Sequence, residues 1–372
     1  MVSVFTEEHE SLRSSLRAFF ANRSPESEVR RLMATDEGYD RDVWRQIASE
    51  LGLQGLIVPE EHGGSGYTWV ELGVVLEEMG RALFCAPYFS TVVLATSCLL
   101  ESGDTAAQKE YLEGIASGDV VGALAFVEAS GRWDEAGIEM AATADGDSYR
   151  LTGEKLFVLD GHVADLVVVA ARTGSSVSLF TVDKGAPGLT TRLTETLDQT
   201  RKVAVVTFEN TPARLLGVEG AGWTTLSKVL DLAVVALAAE QVGGAQAALD
   251  MAVEYSKIRI QFGQPIGAFQ ALKHMLADVM LEVESARSAM HVGLAAASGH
   301  EGAELSAVAP LVKAYCSDAF ELASHQNIQV HGGMGFTWEV PAHLYFKRAK
   351  SMAVFLGDST QHRERLAGHL GL

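Results

Sequence analysis

The residues best suited to chemistry lie in the second half of the chain, in KIRIQFGQPIGAFQA from Lys257 to Ala271 and NIQVHGGMGFTWE from Asn327 to Glu339. In the first segment Gly263 and Pro265 end one helix and the next begins almost at once, a turn tight enough to present side chains outward. Arg259 and Gln261, just before it, offer a planar guanidinium and an amide, donors that suit a phosphate or a carboxylate. In the second segment Gly332, Gly333 and Gly335 follow a helix, and glycine lets a ligand approach the backbone closely. A plainer reading stands beside each. Arg259 and Gln261 also suit a solvated helix end with Phe262 as an ordinary staple, and glycine clusters often do no more than stop a helix.

Other chemistries have less to work with. Cys85, Cys98 and Cys316 are odd in number and lack CxxC spacing, which argues against a disulfide framework or a thiolate metal site and favours buried, small apolar side chains. The eleven histidines show no HExxH pattern, so no metal centre is expected. A net charge of -19 repels nucleic acid and anionic lipid. No apolar run reads as a bilayer span, and the opening MVSVFTEEHESLRSSLRAFF reads as an acid-bearing amphipathic helix rather than a signal peptide. The expected location is cytoplasmic, with neither nucleic acid nor membrane as partner.

A chain of 372 residues outgrows one core, and its texture changes twice. Helical spacing (Val43, Ile47, Leu51; Leu72, Val75, Leu76, Met79) runs to about Gly118, broken by the Pro and Gly pair of VPEEHGGSG. Short runs rich in Val, Thr, Leu and Phe, separated by DGDS, LDGH, TGSS and KGAPG, then read as strands of an antiparallel sheet or barrel. From Trp223 helical spacing returns in long segments that read as a bundle. The expected class is α+β, mainly α, with domains at 1-118, 119-218 and 219-372. Glu77, Glu78 and Arg81 read as a solvated helix face, Met275, Met280 and Met352 as core fillers, Trp133 and Trp338 as packing residues, and His331 as a packed or interface histidine.

Taken together with VPEEHGG near the front and FKRAK at Phe346 to Lys350, the R-x-Q-F-G and Q-x-x-G-G-x-G signatures resemble, in order and spacing, the acyl-CoA dehydrogenase family along nearly the whole chain. The resemblance implies an N-terminal helical domain, a middle antiparallel β domain and a C-terminal four-helix bundle. It also implies FAD, an acyl-CoA substrate and an electron-transferring flavoprotein as acceptor. In the implied reaction a carboxylate removes the α proton while the β hydrogen leaves as hydride to the flavin. An α C–H beside a thioester is a poor acid, so such a site must polarise the carbonyl and hold a desolvated carboxylate of raised pKa. Redox capacity belongs to the flavin, orientation to the protein.

This sequence departs from the family at both positions that supply the base. Leu356, in Val354-Phe355-Leu356-Gly357-Asp358, and Ala233, in Leu230-Asp231-Leu232-Ala233, stand where a glutamate would be, so no catalytic residue is assigned. In the ring pocket the T-E-P stretch corresponds to Val127, Glu128 and Ala129, and the W-I-T stretch to Phe157, Val158 and Leu159; both hydroxyls are replaced by aliphatic groups. By contrast Arg259, Gln261, Phe262, Gln329, Gly332 and Gly333 are kept, and the resemblance implies that they hold the ADP half of a neighbour's FAD. That division resembles the non-catalytic subunit of the heteromeric α2β2 dehydrogenases of steroid side-chain breakdown. It implies a homologous catalytic partner with which FAD is shared. Two other readings stay open: a self-sufficient homotetramer using Glu240, Asp231 or Asp358, and a structural or regulatory relative without flavin. Against the first, Glu240 stands two helical turns beyond Ala233, roughly 11 Å away.

Overall fold

The computed structural model describes residues 5–299 and 304–372. Along the chain run the helices α1 (Glu7–Arg23), α2 (Glu26–Met33), α3 (Arg41–Ser49), α4 (Trp69–Arg81), α5 (Thr96–Glu101) and α6 (Thr105–Ala116). The strands follow: β1 (Gly122–Ala125), β2 (Ala142–Asp145), β3 (Ser148–Leu159), β4 (Leu166–Thr173), β5 (Ser176–Asp183), β6 (Leu189–Thr194) and β7 (Val203–Leu216). Then come α7 (Gly222–Ile258), a hairpin of β8 (Ile260–Gln261) and β9 (Gln264–Pro265), α8 (Gln270–Ala297), α9 (Leu305–His331), α10 (Ala342–Val354) and α11 (Ser359–Leu370). The three-part texture of the sequence is thus the architecture of the molecule.

Two compact units divide the chain. One gathers the described parts of Met1–Arg30, Trp69–Phe84 and Val234–Leu372; the other takes Arg31–Thr68 and Cys85–Ala233. In the second unit the strands lie in the order β1-β4-β5-β7-β3-β2, with β6 pairing β7. Alternation and β-branched residues form the strands, and glycine turns them: β4 and β5 are joined through Gly174 at φ +64, with Thr173 opposite Ser176. Val167, Val169, Phe180, Leu151 and Phe208 fill the core of the sheet. Pairing is antiparallel except between β1 and β4, which run parallel. A purely antiparallel expectation missed this because parallel neighbours need a long crossover, which β2 and β3 supply.

The first unit holds α8, α9 and the part of α7 from Val234 onward. Its most intimate contact is between α4 and α7, where a β-carbon at Gly243 would lie 1.8 Å from the carbonyl oxygen of Glu77 and one at Gly80 would lie 2.1 Å from that of Glu240. Only glycine permits backbones this close. Against the expectation of no apolar run of membrane-spanning length, α7 is long and apolar enough, with a window of mean hydropathy 1.4. Within the protein 94% of that window is buried, so the greasy surface is used in packing.

Two further expectations are corrected. Glu77 and Glu78 are not solvated; they are 3% and 2% exposed. Arg13 donates to Glu77 at 2.6 Å, Arg17 chelates Glu78 at 2.6 and 3.0 Å, and Arg287 binds the other oxygen of Glu77. Arg287 also donates to Gln246 at 2.8 Å, Gln246 to Asp250 at 2.8 Å, and Arg81 to Asp250 at 2.7 Å. These side chains line a cavity of about 400 Å³. Three arginines drawn from α1 and α8 compensate the two carboxylates, which could not otherwise be buried. Met280 faces outward at 57% exposure while Met352 is buried. Trp338, also 57% exposed, packs beneath the cations of Lys347 and Arg30 at 4.8 and 5.5 Å.

Candidate functional site

Arg259 follows directly on α7, and the chain then folds back through β8 and β9. Phe262 and Gly263 form the two-residue turn, at φ +52 and +82. That sign at both positions makes the turn compatible with right-twisted strands, but it is costly for an aromatic residue. The ring gains no burial in return: Phe262 is 91% exposed. Arg259 and Gln261 are exposed as well, while the Arg259 carbonyl accepts from Ile266 N at 2.8 Å and closes the base of the hairpin.

Gly332 ends α9 at φ 60 and ψ -139, a conformation that L side chains rarely adopt. A β-carbon at Gly335 would meet the carbonyl oxygen of Ile328 at 2.8 Å. Gly333 has neither reason, since a β-carbon there meets nothing within 4 Å and its φ is not positive. Its missing side chain leaves the backbone open from outside the chain. Gln329, Gly332 and Gly333 are all exposed.

These two exposed segments are brought together by groups that the sequence did not single out for the purpose. Tyr255, one turn before Arg259, stacks on His331, directly before Gly332, with ring centroids 4.1 Å apart and planes at 25°. The six retained residues therefore sit at one end of the first unit, on neighbouring helix ends. Their exposure fits a group bound jointly with another molecule, and their chemistry, a guanidinium, two amides and free backbone, fits a diphosphate. The signal that could have found Tyr255 was its four-residue spacing from Arg259, which puts both on one helix face.

The positions aligned with the flavin ring lie in the other unit, and the structure brings them side by side: Leu156 N donates to the carbonyl of Val127 at 2.8 Å. Val127 and Leu159 are 2% and 3% exposed, and neither carries a hydroxyl for a polar ring edge. Phe157 stands half-exposed at φ +54. Glu128 turns inward. Its carboxylate accepts from Lys155 at 2.6 Å and from the backbone N–H groups of Glu139 and Met140 at 3.1 and 3.0 Å. Burial pushes the Lys155 ammonium down to about 8, against the pull of that carboxylate.

Leu356 is 4% exposed at φ +61, so hydrocarbon occupies a backbone position in the left-handed region, at a cost of about 1–2 kcal/mol. Its surroundings hold that geometry. His362 Nε2 donates to the Leu356 carbonyl at 2.8 Å, and burial pushes the imidazole down to about 4, so it is neutral. Lys313, fully buried and pushed down to about 8 by desolvation, donates to the carbonyls of Met352 and Ala353 at 2.9 and 3.2 Å, at the negative end of α10. Asp358 is spent as the cap of α11, accepting from Gln361 N at 2.8 Å. Ala233 is fully buried on α7, and Asp231 and Glu240 are 7% and 5% exposed. The side chains of Leu356 and Ala233 have no oxygen with which to take a proton.

Comparison with known proteins follows the same three-part layout. The acyl-CoA dehydrogenase N-terminal, middle and C-terminal domain models match residues 6–119, 123–211 and 220–371. Acyl-CoA dehydrogenase IpdE2 of Mycolicibacterium smegmatis is 34% identical over 97% of this chain and 98% of its own. A variant of the Tcur3481-Tcur3483 steroid ACAD is similar in structure, with TM-score 0.88 and 32% identity over 98% of each chain. The ChsE4-ChsE5 complex from Mycobacterium tuberculosis matches with TM-score 0.91 and 27% identity, covering 100% of this chain and 99% of that one.

Proposed function

This chain belongs to the acyl-CoA dehydrogenase family, oxidoreductases acting on CH–CH bonds, and from that premise we propose that it is the non-catalytic subunit of a heteromeric dehydrogenase, completing a partner's FAD site. One observation carries the proposal. Groups suited to a cofactor's diphosphate are kept and exposed, while the two base positions hold Leu356 and Ala233. A self-sufficient enzyme needs a base as well as these groups.

Bound in the shared site, FAD supplies the acceptor for the β hydrogen. Arg259 neutralises diphosphate charge, Gln261 and Gln329 donate amide hydrogens, and Gly332 and Gly333 admit close backbone approach. Phe262, already bare, packs against whatever covers that end. The α proton goes to a carboxylate of the partner, since this chain has none at either place. The similar structure named as a steroid ACAD of two components supports a steroid side-chain CoA thioester as the substrate class, and the ChsE4-ChsE5 complex supports a pairing of unlike subunits.

The test is flavin content and turnover. Co-purified with its partner, the chain gives an α2β2 assembly at half flavin occupancy that dehydrogenates acyl-CoA; alone it turns nothing over. Full occupancy, or turnover by the chain alone that disappears on Glu240→Gln, refutes the reading.

A further inference from the structure

The two segments that carry Arg259 and Gly332 touch through a small set of inward-facing groups. The Tyr255 ring stacks on His331 at 4.1 Å. One layer deeper, Asn327 Nδ2 donates to Met251 Sδ at 3.3 Å, so α9 and α7 are tied a second time. His331 Nδ1 lies 2.8 Å from the carbonyl oxygen of Asn327, which can only accept, so Nδ1 carries the proton and the ring plane is fixed. His331 is 6% exposed and Asn327 fully buried, while every residue they position is exposed. Backbone continuity transmits the placement, because Arg259 N donates to the Tyr255 carbonyl at 2.9 Å and Gly332 N to that of Gln329.

We propose that Tyr255 and His331 are positioning residues for the donated half of the cofactor site, setting the separation between the Arg259 guanidinium and the Gly332–Gly333 backbone so that both reach one diphosphate. This rests on the functional reading above. Neither ring touches the cofactor. Bidentate recognition is sensitive to geometry, and a misplacement near 1 Å can cost on the order of a hundredfold. A flat stacked pair at a helix crossing fixes that spacing more tightly than aliphatic side chains would.

The experiment uses the complex co-purified with its partner and compares the dissociation constants of FAD and FMN, which differ only in the adenylate. In the wild type FAD binds more tightly than FMN. Tyr255→Ala and His331→Ala each weaken FAD about tenfold with FMN unchanged, the double variant is no worse than either single one, and Tyr255→Phe, which keeps the stack, restores wild-type binding. His331→Phe keeps a stacked ring without the Nδ1 bond and retains most of the preference, which guards against a variant that merely folds poorly. If Arg259→Ala loses the FAD preference while Tyr255→Ala keeps it, or if Tyr255→Phe and Tyr255→Ala behave alike, the positioning role is overturned and the shared site stands. If the wild-type complex binds FAD and FMN equally, the shared site itself falls.

Discussion

Arg13 and Arg287, 274 positions apart in the chain, grip the two oxygens of one buried carboxylate: Arg13 meets Oε2 of Glu77 at 2.6 Å, and Arg287 meets Oε1. Glu77 is therefore a cross-brace between α1, α4 and α8 rather than surface charge. Removing it leaves Arg13 with only the longer contacts to Glu78 and Glu10, at 3.4 and 3.5 Å, and Arg287 with Glu284 at 3.5 Å. Glu77→Ala lowers the unfolding free energy by about 3 kcal/mol, read as a fall in the urea midpoint at unchanged slope. A change below about 1 kcal/mol would show that water replaces the carboxylate at no cost.

Glycine substitutions separate close approach from mere permissiveness. Gly243→Ala drives a methyl into the Glu77 carbonyl, 1.8 Å away, so α4 and α7 must part and folded yield collapses. Gly368, inside α11, has open space around its would-be β-carbon and no positive φ. Gly368→Ala raises stability by up to about 1 kcal/mol. Thermal melts of the two variants should move in opposite directions.

Among the described residues Glu128 is the acid paired with the fully buried Lys155, at 2.6 Å, and it also holds two backbone N–H groups. Glu128→Ala strands the ammonium and releases residues 129–140, costing about 3–5 kcal/mol. Replacing both as Glu128→Gln with Lys155→Met recovers much of the loss. Limited proteolysis within 129–140, absent in the wild type and present in Glu128→Ala, reports the release; equal resistance in both would refute it.

The folded pKa of His362, about 4, lies below the ordinary histidine value of 6.5. Between those values the unfolded chain binds a proton that the folded chain refuses, so stability is full above about 6.5 and is lost as pH falls toward 4. His291, His162 and His343, pushed down by burial, add slope of the same sign. His362→Gln should therefore flatten the acid limb of a stability–pH curve by roughly 2–3 kcal/mol without abolishing it. An identical limb in both proteins would show that His362 protonates freely when folded.

Much of this is legible in the sequence alone. Val43, Ile47 and Leu51 announced a helix by spacing, and Leu166 to Ala171 a strand by composition. Leu356 and Ala233 were visible because a motif fixes their place and an aliphatic group there cannot be misread. Glu77 is not legible in this way, since charge at helical spacing usually faces water and its partners Arg13 and Arg287 lie 64 and 210 positions away. Lys313 and the carbonyls it caps, 39 positions on, were hidden for the same reason. Local pattern reports which side chain is greasy, not which distant group will neutralise a buried charge.

The discontinuity of the first unit has a consequence for synthesis. Val74, Val75 and Leu76 of α4 are wholly buried, yet their unit is completed only by chain beyond Val234. On the ribosome these residues emerge early and wait through the translation of some hundred and fifty codons, so a nascent polypeptide carries sticky, unsheltered helices for many seconds. Expression hosts rich in holdase chaperones, or slowed growth at low temperature, should raise the fraction that reaches the native state.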